Sequence, residues 1–138
     1  MSKRYQIAAI PVRRIEDRTE VLLITSRDTG RWVVPKGWPW PNVADHLSAA
    51  GEAWEEAGVR GRIEPACIGD FTYAKRRERK SFLVKVFVFT LEVQELAASW
   101  PEETQRQRRW FSPAQAAEVV EEAELRQILL SLAAHPDA

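Results

Sequence analysis

Three glutamates stand where they could act together: Glu52, Glu55 and Glu56, in the run Gly51-Glu52-Ala53-Trp54-Glu55-Glu56-Ala57-Gly58-Val59. A helix turns about 100° per residue, so positions three and four apart share a face and these carboxylates point the same way. Asp45, seven residues before Glu52, falls on the same side. Like charges at such spacings repel by roughly 0.2–0.5 kcal/mol per exposed pair, and the expected helix contains no lysine or arginine to offset them. A divalent cation would. Hard oxygen ligands at this density suit Mg²⁺ or Mn²⁺, which keep waters and bridge to substrate phosphates. A solvated acidic face on an amphipathic helix would carry the same residues. Leu47, Ala50, Trp54 and Ala57 occupy the other side and are expected to pack on a sheet.

A second cluster has the opposite sign. Lys75-Arg76-Arg77-Glu78-Arg79-Lys80 puts five cations into six residues, between two expected strands. It reads either as a solvated hairpin tip protecting a sheet edge or as a surface for phosphates, with Arg as a bidentate fork and Lys as a point charge. Lys36 and Arg106 or Arg108 could add cations. The aromatic–basic interleaving of a nucleic-acid stacking platform is absent there, so nucleic acid is not an expected partner. Trp38 and Trp40 flank prolines and serve either to stack on a base or to anchor a turn. His46 is expected to be exposed, and His135 has no neighbour that suggests chemistry. Cys67, the only cysteine, sits in an apolar stretch and is expected to be buried and inert.

The elements that must position these residues follow from hydrophobic patterning. Tyr5 to Val12 and Glu20 to Thr25 read as strands separated by the polar turn 13–18, and Trp32-Val33-Val34 as a short strand stopped by Pro35. The prolines and glycine of residues 37–42 forbid regular structure. A helix is expected from Val43 or Asp45 to Ala57, with Asn42 or Asp45 as N-cap and Gly58 as left-handed C-cap. Arg62 to Tyr73 and Ser81 to Val93 read as two long strands, and Arg108 to Phe111 as a last short one. Ser112-Pro113-Ala114-Gln115 fits a capping box, and Leu125, Ile128, Leu129 and Leu132 form the stripe of a final helix. The order predicts an α/β fold, a mixed sheet with helices packed on it. At 138 residues the chain suits one domain, residues 1–138. Twenty basic residues balance twenty acidic ones, so net charge selects no partner. The apolar run at residues 7–10 is too short for a signal peptide or membrane span, which points to the cytoplasm.

From Gly37 to Val59 the sequence resembles the Nudix box, G-x5-E-x7-R-E-U-x-E-E-x-G-U, where U is bulky and apolar. Gly37, Glu52, Glu55, Glu56, Gly58 and Val59 match at the required spacing, with Ala53 a small residue at a U position. Val43 stands in place of the first glutamate and Gly51 in place of the arginine, so the ion pair of those two positions is absent as a unit. Ile68-Gly69-Asp70-Phe71, the basic segment, the strand of residues 82–93 and Arg108-Arg109-Trp110-Phe111 look like the diphosphoinositol polyphosphate phosphohydrolase branch, whose members also hydrolyse dinucleoside polyphosphates. The resemblance implies a Nudix-type α/β/α sandwich with a mixed β-sheet. It implies Mg²⁺-dependent hydrolysis of a phosphoanhydride bond in a phosphorylated small molecule, with Mn²⁺ as a substitute. Glu52 and Glu56 are the expected metal ligands, with the Gly37 carbonyl a further ligand and Glu55 either a ligand or the general base; Glu102 and Glu103 are other candidates for the base. Lys36, Arg79, Lys80 and Arg108 are the expected substrate contacts. A hydrolase of another nucleoside diphosphate derivative, such as a nucleotide sugar, and a binding module that has lost turnover are the alternatives.

Overall fold

Strand β1, Tyr5–Ile15, is buried without a break from Gln6 to Pro11. Such a run, in place of in–out alternation, belongs to a strand covered on both faces. The computed structural model, which describes residues 4–133, bears this out. Ile7 and Ala9 face one core with Ala49, Ala53 and Ala57 of helix α1, Asp45–Ala57. Ala8 and Ile10 face a second core with residues of the two C-terminal helices α2, Pro113–Val119, and α3, Ala123–Ala133. The architecture is therefore the expected α/β/α sandwich around a mixed sheet.

The sheet contains β2 (Arg18–Thr25), β3 (Trp32–Val33), β4 (Lys36–Gly37), β5 (Val59–Ile63), β6 (Gly69–Arg77), β7 (Lys80–Leu96) and β8 (Arg108–Phe111) besides β1. Its main path runs β3-β2-β1-β7-β5, with β4 on β1, β6 on β7 and β8 on β2. The β1–β7 pairing is parallel, Tyr5 to Val12 against Lys85 to Glu92, and the other pairings are antiparallel.

Several expectations need correction. The sheet-facing stripe of α1 is Ala49, Ala53 and Ala57, with Ser48, while Leu47 is 50% exposed and Ala50 and Trp54 are half-buried. Alanines at i, i+4 and i+8 let the helix backbone lie close to β1, and Arg60 covers Trp54 by stacking 3.5 Å from its ring centroid. The N-cap of α1 is Ala44, with no side-chain cap; Asp45 accepts a hydrogen bond from the Tyr5 hydroxyl at 2.7 Å instead. Gly58 is the left-handed C-cap, at φ 69°. The polar segment after Val12 continues both strands and turns tightly at Glu16, φ 58°. The expected strand of residues 62–73 is two, β5 and β6, parted around Pro65, which has no N–H to give a ladder. Gly37, the first of the residues expected to be irregular, pairs briefly with β1 together with Lys36. Cys67 is exposed, its thiol donating to Gly69 O, and His46 is half-buried beside Phe89. The Ser112 capping box forms as expected. His135 lies outside the described residues. No helix among them is long and apolar enough to cross a membrane.

Candidate active site

Pro35 ends β3's extension, and the Ala9 N–H donates to its carbonyl at 3.1 Å. That bond, with the Ile7–Gly37 and Ala8–Lys36 pairings, pins the Lys36–Gly37 turn on β1 and against α1. On the helix, Glu56 projects about 20° and Glu52 about 60° beyond the arc of the buried alanines, with Glu55 about 60° further round. The geometry therefore separates the three glutamates. Glu52 and Glu56 enter a polar cleft of about 320 Å³, with Lys36 and Gly37 facing them. Glu55 does not line it. It lies near enough to Glu52 to push that carboxyl's pKa up, and its carbonyl accepts the Glu102 N–H at 3.0 Å.

The cleft is tightly wired. Glu56 accepts from the Lys36 backbone N–H at 3.2 Å and pairs with Arg106 at 3.4 Å. Arg106, 8% exposed, also bonds Glu102 at 2.8 Å and the Thr25 carbonyl at 3.1 Å. Glu52 accepts from the Trp40 indole N–H at 2.8 Å. A Cβ at Gly37 would lie 2.5 Å from the Glu52 carboxyl carbon, so any larger residue there would push the carboxylate aside. Burial raises the Glu56 pKa to about 7, against the opposing pull of Arg106, and raises that of Glu52 as well. Burial also lowers Lys36 to about 8, with Glu56 working the other way. The Lys36 ammonium stands 4.8 Å over the Tyr73 ring, whose hydroxyl donates to Gln6 at 2.7 Å. Desolvation dominates every one of these shifts. Two carboxylates held together in a partly dry cleft repel each other, and a cation between them would relieve that repulsion. Among the described residues no three acidic, histidine or cysteine side chains form a metal cage. The donor set thus suits a hard cation that keeps waters or takes oxygens from a substrate.

Of the expected cations, Lys36 lines the cleft, and Arg79 and Lys80 stand exposed at the hairpin tip outside it. The basic segment reaches the cleft through Lys75. Arg108, expected to meet substrate, is committed elsewhere. Its guanidinium donates to the carbonyls of Ala57, Gly58 and Ala97 and stacks 3.8 Å from the Trp100 ring centroid. A cation is favoured there because the last carbonyls of α1 have no partner within the helix and carry a partial negative charge. Arg106 is the arginine that faces the glutamates. Gln6, Ser26, Arg27, Asp28 and Tyr73 also line the cleft and escaped the sequence reading. Gln6 carried a trace of its role, as a polar residue in an apolar strand, 3% exposed. Glu102 lines the cleft, while Glu103 instead accepts from Ser99 at 2.6 Å.

A groove of about 780 Å³ adjoins, walled by Trp38, Trp40, Phe82 and Leu83 with Arg4 and Arg77. The same segments feed both spaces. Gln6 and Lys75 line the cleft while Arg4, just before β1, and Arg77, two residues along β6 from Lys75, line the groove; two residues of strand span about 7 Å.

The NUDIX domain model matches residues 4–132. "Nudix hydrolase 13, mitochondrial" of Arabidopsis thaliana is 36% identical over 111 residues, 75% of this chain and 54% of its own length. Diphosphoinositol polyphosphate phosphohydrolase 3-alpha of Mus musculus is 34% identical over 111 residues, 78% of this chain and 64% of its own. The chain thus spans less than two thirds of these relatives. The crystal structure of a C. elegans Ap4A hydrolase superposes with a TM-score of 0.67 at 21% identity, over 94% of this chain and 96% of that one. The NUDIX domain of Shewanella oneidensis NrtR, complexed with ADP ribose, does so at 0.62 and 15% identity, over 96% and 87%. At such identities these two report the fold.

Proposed function

The chain belongs to the NUDIX domain family, and from that premise we propose that it is a Mg²⁺-dependent hydrolase cutting a phosphoanhydride bond in an organic polyphosphate. The observation that carries this is the cleft itself, in which two part-buried carboxylates face two lysines and two arginines across a polar space of about 320 Å³. Residues 1–138 form one domain on this reading. Glu52 and Glu56 would hold Mg²⁺ or Mn²⁺, with Glu55 and the Gly37 carbonyl as further candidates. When bound, the ion supplies charge neutralisation at phosphate oxygens and a more acidic water. Lys36, Lys75 and Arg27 are placed to receive phosphate oxygens. Arg106, already shared between Glu56 and Glu102, holds the carboxylates in position. The water oxygen forms the new bond to phosphorus as the bridging P–O bond breaks. A carboxylate takes the water's proton, and Glu55 and Glu102 are the candidates.

Relatives point to two substrate classes, diphosphoinositol polyphosphates by the mouse enzyme's name and Ap4A by the nematode enzyme's. The groove favours the second. Trp38, 40% exposed, and Phe82, 40% exposed, offer faces on which a planar base can stack, and a wholly phosphorylated ring would leave them bare. The test is a panel of a dinucleoside tetraphosphate, a diphosphoinositol polyphosphate and a nucleotide sugar, assayed for turnover with Mg²⁺ and with excess EDTA. The dinucleoside compound should give the highest kcat/KM, and EDTA should abolish turnover. A preference for the inositol compound would reverse the substrate choice, and full activity in EDTA would remove the metal. Saturable binding without turnover would make the chain a binding module.

A further inference from the structure

We propose that Trp40 is a positioning residue that orients Glu52 for metal binding, and that Gly51 is a glycine in order to seat it. The inference rests on the metal-dependent reading above. A Cβ built on Gly51 would lie 2.3, 2.6 and 2.9 Å from Cη2, Cζ2 and Cζ3 of the Trp40 ring. These atoms belong to a rigid bicycle, so they cannot swing aside as the end of a flexible chain would. The indole occupies the volume that any side chain at position 51 would need, including the arginine of the box pattern.

The rest of the residue is anchored as firmly. Its backbone N–H donates to Ser48 Oγ at 3.0 Å, and Ser48 is fully buried. Its carbonyl accepts the Val43 N–H at 3.2 Å. Ser48 and Gly51 of α1 thus form a seat for Trp40, and the seated indole turns its one N–H onto Glu52 Oε2 at 2.8 Å. An indole donates only one proton and has no charge. It therefore fixes the carboxylate's direction without neutralising it, whereas a guanidinium in the same place would do both. Glu56 has Arg106 as its counter-charge, while the donor bonded to Glu52 is neutral. The pair is left with net negative charge on the carboxylate that borders Gly37, which is what an incoming cation needs. The departures at Val43 and Gly51 become one substitution with a common cause: an ion pair is exchanged for a neutral aromatic donor.

The test measures Mn²⁺ affinity by calorimetry and, independently, the indole N–H resonances of the metal-free chain by ¹⁵N NMR. Trp40→Phe keeps an aromatic ring on the same backbone anchor but loses the donor, together with the distal ring atoms that lie over Gly51. Its Mn²⁺ Kd should rise about 10–100-fold, the range for losing a group that orients a metal ligand, with kcat reduced and KM little changed. Gly51→Ala keeps the donor and displaces the ring, so it should weaken Mn²⁺ binding in the same direction. The Trp40 resonance, assigned by sequential backbone and side-chain NMR of the wild-type chain, should move in Glu52→Gln. Unchanged Mn²⁺ affinity in a folded Trp40→Phe would overturn the proposal, as would a Trp40 resonance indifferent to Glu52→Gln. Should Trp40→Phe fail to fold, Gly51→Ala and the resonance decide. A wild-type chain that binds no Mn²⁺ and hydrolyses nothing, yet shows the Glu52-dependent resonance, would sink the hydrolase reading and the metal-orienting role while leaving the contact itself standing.

Discussion

Glu56 is the residue on which most of the cleft converges, touching the Lys36 backbone and Arg106 and lying beside Glu52. Glu56→Gln keeps the shape and removes the charge, so kcat should fall by at least about a hundredfold while the fold persists. Steady-state assays beside a melting curve check both, and a variant retaining half its activity would exclude Glu56 as ligand or base. Glu52, Glu56 and Gly37 were legible in the sequence because the box ties them to one helix and one turn, where spacing alone sets direction. Arg106 and Arg108 were not separable. They are the same residue type two positions apart, and only the docking of α1's C-terminus shows that one meets carbonyls and the other carboxylates. Cys67 misled for a similar reason: its apolar neighbours belong to an exposed turn, and composition carries no direction.

At the scale of elements, α1 is held at both ends by groups the sequence offered only as loose cations or turns. Arg108→Ala would leave the carbonyls of Ala57, Gly58 and Ala97 without that donor and bare the Trp100 face. The expected cost is about 1–3 kcal/mol of stability, read from urea unfolding, with KM for substrate nearly unaffected. A large KM effect at unchanged stability would return Arg108 to the substrate contacts. The β6–β7 hairpin divides its charges by register. Lys75 lies opposite Phe82 at the cleft, while Lys80 pairs with Arg77 at the tip. Lys75→Ala should therefore raise KM for a polyphosphate more than the double change Arg79→Ala with Lys80→Ala, and the reverse order would place substrate phosphates at the tip. The strands themselves were readable from runs rich in Ile, Val and Leu. The break between β5 and β6 was signalled by Pro65 and overlooked, since both run along β7, while the brief β4 depends on β1 lying alongside.

For the molecule as a whole, the cleft trades stability for reactivity in a way that pH should expose. Glu56 ionises near pH 7 in the folded chain against 4.5 for the ordinary group. The folded state therefore holds the extra proton between those values, and stability falls as pH rises through them. Lys36 is lowered from 10.5 to about 8, so the unfolded state binds more protons above pH 8, and stability recovers towards 10.5. The metal-free protein should have its largest deficit near pH 7–8, where both groups are charged. Mg²⁺, by replacing the proton, should raise Tm most there. Melting curves of wild type and Glu56→Gln from pH 5 to 10, with and without Mg²⁺, check this; a difference between the two proteins that does not vary with pH would refute it. The parallel pairing at the centre of the sheet bears on a different matter, the order in which the protein can be made. Tyr5 needs Lys85 and Val12 needs Glu92, so during synthesis the first strand waits, its apolar residues uncovered on one edge, until most of the chain has left the ribosome. Long-range pairing of this kind slows folding and lengthens the exposure of a sticky strand. The helix that carries the glutamates packs on that strand, and the cleft also takes Tyr73, Lys75, Glu102 and Arg106, so the finished site should arrive late, after β7 has paired.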